Sequence, residues 1–166
     1  MVVVLMGVSG SGKTVVGTRV AAELRWPFAD ADDYHSAANI EKMRNGIPLT
    51  DEDRAPWLQA LREVIAEWIA AGKNAVLACS ALKDSYRQTL KVSPEVHFVY
   101  LKASPAILRH RLRSRVGHYM NESLLQSQLA TLEVPRDAVV VDVSGTVKES
   151  VRQVFDKLGL KNSSAS

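Results

Sequence analysis

The chain has 166 residues, 46 % of them hydrophobic, and a formal net charge of +3, which fits one soluble domain built on one core. That positive excess suits anionic small molecules such as nucleotides or acids and is too small to argue for nucleic-acid binding. No apolar run approaches the ~18 residues of a membrane span, and the single cysteine, Cys79, excludes an intrachain disulfide and points to a reducing cytoplasm.

The opening segment, Met1-Val2-Val3-Val4-Leu5-Met6-Gly7, has no basic start and is not expected to be a signal peptide. Val2–Leu5, short and β-branched, is expected to be a buried strand, and Lys13–Leu24 a helix with Val16, Val20 and Leu24 on one face. Pro27–Asp30 is a second strand ending in acids. A helix follows from about Ser36 to Arg44, stopped by Asn45-Gly46 and Pro48. In the longest helix Leu58, Leu61, Ile65, Trp68 and Ile69 lie at helical spacing. Pro56 belongs in a first turn, which places the start near Asp53 or Arg54, and Gly72 marks the end.

Ala75–Cys79, Val96–Leu101 and Ala138–Val143 are the third, fourth and fifth strands. Helices are expected at Leu82–Leu90, Pro105–Arg115, Glu122–Leu132 and Thr146–Leu158. Strands alternating with helices imply parallel strands joined by crossovers. The expectation is a three-layer α/β/α domain over residues 1–160, with a five-stranded parallel sheet and a small mobile lid at about residues 111–128. Residues 161–166 form a polar tail expected to be disordered.

Gly7-Val8-Ser9-Gly10-Ser11-Gly12-Lys13-Thr14 matches G-x-x-x-x-G-K-[ST] in full, between an expected strand and an expected helix. Glycines let backbone N–H groups turn inward around phosphate oxygens, and the helix start adds the positive end of its dipole. Lys13 can then bridge the β- and γ-phosphates of ATP, and the Thr14 hydroxyl can ligate Mg²⁺. The motif implies a nucleotide, not a kinase. A GTPase switch or a mechanical ATPase would use the same loop, although no Asn-Lys-x-Asp segment for guanine is present.

The second strand ends in Asp30-Ala31-Asp32-Asp33-Tyr34-His35, and ligands gather at the carboxyl ends of parallel strands. One carboxylate can hold a Mg²⁺-bound water and another can take a proton from an attacking hydroxyl. Asp30 and Asp32 point the same way if the strand continues. The alternative is a solvated acidic turn, and His35 caps the next helix as readily as it touches substrate. Arg109, Arg111, Arg113 and Arg115 alternate along one helix. Arg111 and Arg115 share a face bordering the stripe of Leu108 and Leu112, while Arg109 and Arg113 share another. With Gly117 as a hinge, Arg111 and Arg115 could close over the transferring phosphoryl group; the alternative is a solvated basic face.

These motifs, in this order, resemble the gluconokinases, small P-loop enzymes that phosphorylate D-gluconate, and more distantly the shikimate and adenylate kinases. The resemblance runs from Val3 to about Val143. It rests on Gly7–Thr14, Asp30–His35, Asn39–Met43 with Gly46–Leu49, Asp51–Leu58, Cys79–Lys83 with Tyr86-Arg87, Arg111–Met120 and Ser127–Glu133. Two departures stand out. Ser36-Ala37-Ala38 follows His35 where family members often carry proline. The third strand ends in Cys79-Ser80 without the aspartate many P-loop enzymes have there, so Mg²⁺ would rely on Thr14, phosphates and waters, with Asp30 acting through water.

The resemblance implies transfer of phosphate from ATP to the 6-hydroxyl of gluconate, with Lys13, Asp32, Arg111 and Arg115 catalytic. Gly7, Val8, Ser9, Gly10, Ser11, Gly12, Lys13, Thr14 and Arg111 would hold the nucleotide, and the loop Asp142–Thr146 the adenine. Asp32, His35, Arg54, Lys83, Arg87, His118 and Gln128 would contact substrate. A linear sugar acid needs charged partners, and Arg54 is the first candidate for its carboxylate, the alternative being a salt bridge to Asp51 or Asp53. Lys83 and Arg87 either supply further donors or fix the helix after the third strand. Cys79 reads as a small core residue rather than a nucleophile, and Trp57 and Trp68 as core or helix contacts. Dimerisation is common in the resembled family, so a homodimer stays open beside a monomer. Neither nucleic acid nor membrane is an expected partner. The rivals are another small kinase of this fold, or a nucleotide-binding regulatory protein with no acceptor.

Overall fold

A computed structural model describes residues 1–114 and 122–163. Five strands form one parallel sheet in the order β2-β3-β1-β4-β5: β1 (Val2–Met6), β2 (Phe28–Asp30), β3 (Ala75–Ala78), β4 (Val96–Lys102) and β5 (Val139–Asp142). The helices are α1 (Lys13–Leu24), α2 (Ala37–Arg44), α3 (Asp51–Ala70), α4 (Asp84–Leu90), α5 (Pro105–Arg113), α6 (Glu122–Thr131) and α7 (Val147–Leu158). Each expected element is present, with ends shifted by a residue or two, as fraying and capping dictate. Gly117 and the last three residues lie outside the described residues.

The period-two rule divides β1 between two cores. Val2, Val4 and Met6 face α3 and α4, where Trp57, Leu58, Leu61, Ile65, Tyr86 and Leu90 pack. Val3 and Leu5 face Val16, Val20 and Leu24 of α1 and Val151, Val154 and Phe155 of α7. Helices on both faces of a wholly parallel sheet leave β1 fully buried. A small third cluster of Met43, Leu49 and Leu124 joins α2 to α6.

The start of α3 differs from the expectation drawn from Pro56. Thr50 caps the helix with its hydroxyl on the Asp53 N–H, and the Asp53 carboxylate returns to the Thr50 N–H, so the helix begins at Asp51 and Pro56 lies inside it. The reciprocal cap contributes about 1 kcal/mol. The proline removes one bond, to the carbonyl of Glu52. Both residues are exposed, so water can serve that carbonyl.

Candidate active site

After β1 the chain turns through Gly7–Gly12 into α1. Gly10 adopts φ 85°, and a Cβ there would sit 3.1 Å from the Leu108 carbonyl oxygen of α5. At Gly7, with φ 150°, a Cβ would meet the Ser11 hydroxyl at 2.9 Å and the Leu101 carbonyl at 3.0 Å. The Gly7 N–H donates to the Ser80 carbonyl at 3.3 Å, tying the loop to the segment after β3. Gly12 caps α1 without a side-chain bond, and no acid occupies the first turn. The amides of a first helical turn have no partner within the helix, and the dipole there is positive, so this end suits an anion. The Lys13 ammonium lies across the loop, 3.1 Å from the Val8 carbonyl.

The strand does not continue past Asp30, so Asp30 and Asp32 do not share a strand face. The chain enters a 3-10 helix, Ala31–Tyr34, capped by Asp30, whose Oδ1 accepts from the Asp32 N–H at 2.9 Å. An aspartate that bonds the backbone two residues on competes successfully with the ladder at a short edge strand. The tight turn nevertheless places both acids in one cleft with Lys13 and Thr14. The Thr14 hydroxyl donates to Asp30 Oδ2 at 2.6 Å, so the two residues expected to serve a cation stand together.

The same cleft is lined by His35, Arg54, Trp57, Ser80 and Gln128. The His35 ring stacks on Trp57, with centroids 4.4 Å apart and planes 11° apart. Burial, and secondly the positive charge of Arg54, pulls the imidazole from 6.5 down to about 4, so it is neutral at pH 7. The Asn39 amide nitrogen, which also donates to the Asp53 carbonyl at 2.9 Å, lies 3.4 Å from His35 Nδ1. Nδ1 is then the acceptor and the proton sits on Nε2. Trp57 holds its own place by donating Nε1–H to the Ala31 carbonyl at 2.7 Å.

Arg54, in the first turn of α3, pairs with neither Asp51 nor Asp53. Its Nη1 donates to the Tyr86 hydroxyl at 3.1 Å. Asp53 takes Lys42 at 2.9 Å and Asp51 takes Lys83 at 3.0 Å. Lys83 is therefore ion-paired outside the cleft rather than lining it.

Arg87, an expected substrate contact, does not line the cleft. It is buried, and its guanidinium donates to the carbonyls of Ala81 at 2.7 Å, Leu82 at 3.1 Å and Glu133 at 2.8 Å. Those bonds pin the turn after β3, where buried Ala81 adopts a left-handed φ of 45° that costs a non-glycine residue about 1–2 kcal/mol. Of its two readings, fixing the segment after the third strand is the one the geometry matches. Burial pushes the Cys79 thiol up to about 12, which suits a core residue.

On the other side of the loop, Gly12, Val15, Arg111, Val143 and Gly145 line a second hollow that includes the segment after β5 expected to meet adenine. Arg111 donates to the Gly10 carbonyl at 3.5 Å and makes a short bond to the Val143 carbonyl. It lines this second hollow and not the cleft of the acids. Arg109 and Arg113 share one partner, Glu122, at 3.4 and 3.7 Å, in keeping with a common face. Arg115 and His118 lie outside the described residues. Gln128, on α6, accepts the Ser9 N–H at 2.8 Å through Oε1 and so docks α6 on the phosphate loop.

Two residues of the site escaped the sequence reading. Trp57 lies three positions after Arg54, on the same helical face, and that spacing was the available signal. Tyr86 stands beside Arg87 in a quoted motif, yet nothing in the sequence links it to Arg54.

No helix among the described residues is long and apolar enough to cross a membrane. A family profile described as an AAA domain matches residues 2–135. The gluconokinase of Gluconobacter oxydans is 52 % identical over 144 residues, covering 86 % of this chain and 81 % of that protein. The crystal structure of a gluconokinase from Sinorhizobium meliloti superposes with a TM-score of 0.84 at 46 % identity, over 95 % of this chain and 90 % of that one. A sugar kinase from Janibacter sp. HTCC2649 gives a TM-score of 0.89 at 43 % identity, over 99 % and 98 %. The phosphate loop, the acids beside it and these likenesses agree, and the chain belongs to the gluconokinase family of P-loop kinases.

Proposed function

We propose that this chain transfers the γ-phosphoryl group of ATP to the 6-hydroxyl of D-gluconate, giving 6-phosphogluconate and ADP. The observation that carries the reading is the single cleft in which Lys13 and Thr14 of the phosphate loop face Asp30, Asp32 and Arg54. In that reading Lys13 leaves the Val8 carbonyl to neutralise charge building between the β- and γ-phosphates. Asp32, which lines the cleft with Lys13, accepts the proton of the attacking hydroxyl, and Asp30 stays with Thr14. Neutral His35 offers its Nε2–H to a substrate hydroxyl, with Trp57 behind it as a rigid wall. Arg54 holds the substrate carboxylate, and Arg111 serves the nucleotide.

The donor set fits magnesium. The Thr14 hydroxyl, and a water that Asp30 would hold, would be hard oxygen ligands, and Mg²⁺ commonly binds through few protein groups together with phosphates. Among the described residues, no cluster of three histidine, cysteine or carboxylate side chains offers a site made by protein alone. When bound, the ion would supply positive charge against the phosphate groups. The buried thiol of Cys79 suits a reducing cytoplasm as the place of work.

The test is ADP release with gluconate, glucose, shikimate and nucleoside monophosphates as acceptors, with Lys13→Ala as the blank. Gluconate should be consumed and glucose, which lacks the carboxylate, should be poor. Equal rates with gluconate and glucose would remove the acid-specific reading, and a preference for a nucleoside monophosphate would replace it.

A further inference from the structure

The first turn of α3 places Asp51, Asp53 and Arg54 within four residues of one another, and an arginine so placed ordinarily pairs with its neighbours. Here each acid is engaged elsewhere. Asp53 takes Lys42 through both oxygens, at 2.9 and 3.0 Å. Asp51 takes Lys83 through both oxygens, at 3.0 and 3.1 Å, and also accepts a short bond from the Tyr86 hydroxyl. A phenol has one proton. With that proton given to Asp51, the hydroxyl oxygen can only accept from Arg54, whose Nη1 stands 3.1 Å away. Among the described residues, no carboxylate lies within ion-pair distance of Arg54.

We infer that Tyr86 and Lys83 are positioning residues that set the enzyme's preference for an acid substrate: Lys83 occupies Asp51, and Tyr86 holds Arg54 in the cleft with its charge uncommitted. The inference rests on the reading of Arg54 as the carboxylate partner. Tyr86 is suited to the task because its ring is buried while its hydroxyl reaches both groups. The guanidinium carbon of Arg54 and the ammonium of Lys83 lie 5.5 and 5.7 Å from the ring centre, so the face of the ring also steadies both cations. Lys83 caps the start of α4 and Asp51 opens α3, so the pair also fixes the register between these helices. Removing Lys83 would leave Asp51 three residues from Arg54 on one helix, joined to it through one hydroxyl. Asp51 would then take the guanidinium from the substrate.

The experiment measures KM for gluconate and for ATP, and kcat, on Tyr86→Phe, Lys83→Met, the double variant Lys83→Met/Asp51→Asn, and Arg54→Met. Tyr86→Phe and Lys83→Met should each raise the gluconate KM about 10-fold, the scale of one charged hydrogen bond, and leave kcat and the ATP KM within about 2-fold. The double variant should recover most of that loss, because an uncharged amide in place of the Asp51 carboxylate cannot compete for Arg54. A merely structural lysine would show no such rescue. If Arg54→Met raises the gluconate KM while Tyr86→Phe or Lys83→Met does not, or if the double variant is no better than Lys83→Met, this inference fails and the carboxylate role of Arg54 stands. If Arg54→Met leaves the gluconate KM unchanged, the carboxylate assignment itself fails and takes this inference with it.

Discussion

His35 makes the stability of the fold depend on pH between about 4 and 6.5. Its imidazole is drawn from 6.5 to about 4, first by burial and second by Arg54, so the unfolded chain binds this proton more readily than the folded one between those values. Stability then rises with pH across the window. The contribution is full above about 6.5 and is lost as the pH falls toward 4. The gap corresponds to about 3 kcal/mol, and the solvent access left to the ring reduces it to ~1–2 kcal/mol. His35→Phe keeps an aromatic ring against Trp57, at the 4.4 Å spacing of the present pair, but cannot titrate. Urea unfolding at pH 7.5 and pH 4.5 should show the parent losing ~1–2 kcal/mol more than His35→Phe. Asp53, drawn down to about 2 chiefly by its bond from Lys42, titrates below this range and cancels in the difference. Parallel losses in the two proteins would refute the reasoning and return His35 to an ordinary exposed imidazole.

Three other outcomes are expected. Asp32→Asn should lower kcat by ~10²–10⁴-fold, the usual cost of a lost general base, with little change in gluconate KM; steady-state kinetics showing a raised KM and an unchanged kcat would make Asp32 a binding residue only. Arg87→Met removes the donor to three carbonyls, of which that of Leu82 keeps the Glu133 N–H; with the Ala81 and Glu133 carbonyls losing their donor at about 1–3 kcal/mol each, urea unfolding should show a cost of about 2–6 kcal/mol, and a loss under about 0.5 kcal/mol would mean that the turn after β3 holds itself. Arg111→Ala should raise the ATP KM, whereas Arg109→Ala, whose partner is Glu122, should not; equal effects would mean that α5 acts only through its total charge.

Much of this was legible in the sequence because local rules and the global fold agreed. The strand, glycine loop and helix of residues 2–24 are dictated by β-branching, a motif with a mechanical reason and a 3.6-residue period. The parallel sheet followed from alternation alone. Local rules misled where two of them competed. Pro56 argued for a late start of α3, but the Thr50–Asp53 cap prevailed. Period two argued for Asp30 and Asp32 on one strand face, yet the aspartate cap turned the chain into a 3-10 helix and brought both acids to the cleft by a different route.

The arginines show what spacing cannot decide. Arg54, Arg87 and Arg111 all belong to family motifs and all read as candidate anion binders. Three-dimensional partners separate them. Arg87 is surrounded by three carbonyl oxygens and is occupied by the fold itself. Arg111 bridges the carbonyls of Gly10 and Val143, which places it at the seam between the phosphate loop and the loop after β5. Arg54 alone of the three lines the cleft beside Asp32, and the neighbouring acids are held by lysines. A guanidinium is charged at any working pH, so its role is set by which acceptors the fold has already supplied. Decisive acceptors come from chain segments distant in sequence: Arg54 and Tyr86 are separated by 32 positions, and Arg87 and Glu133 by 46. A single sequence carries the cations, while the assignment of each to substrate, nucleotide or backbone is a property of how α3, α4 and the segment after α6 pack together.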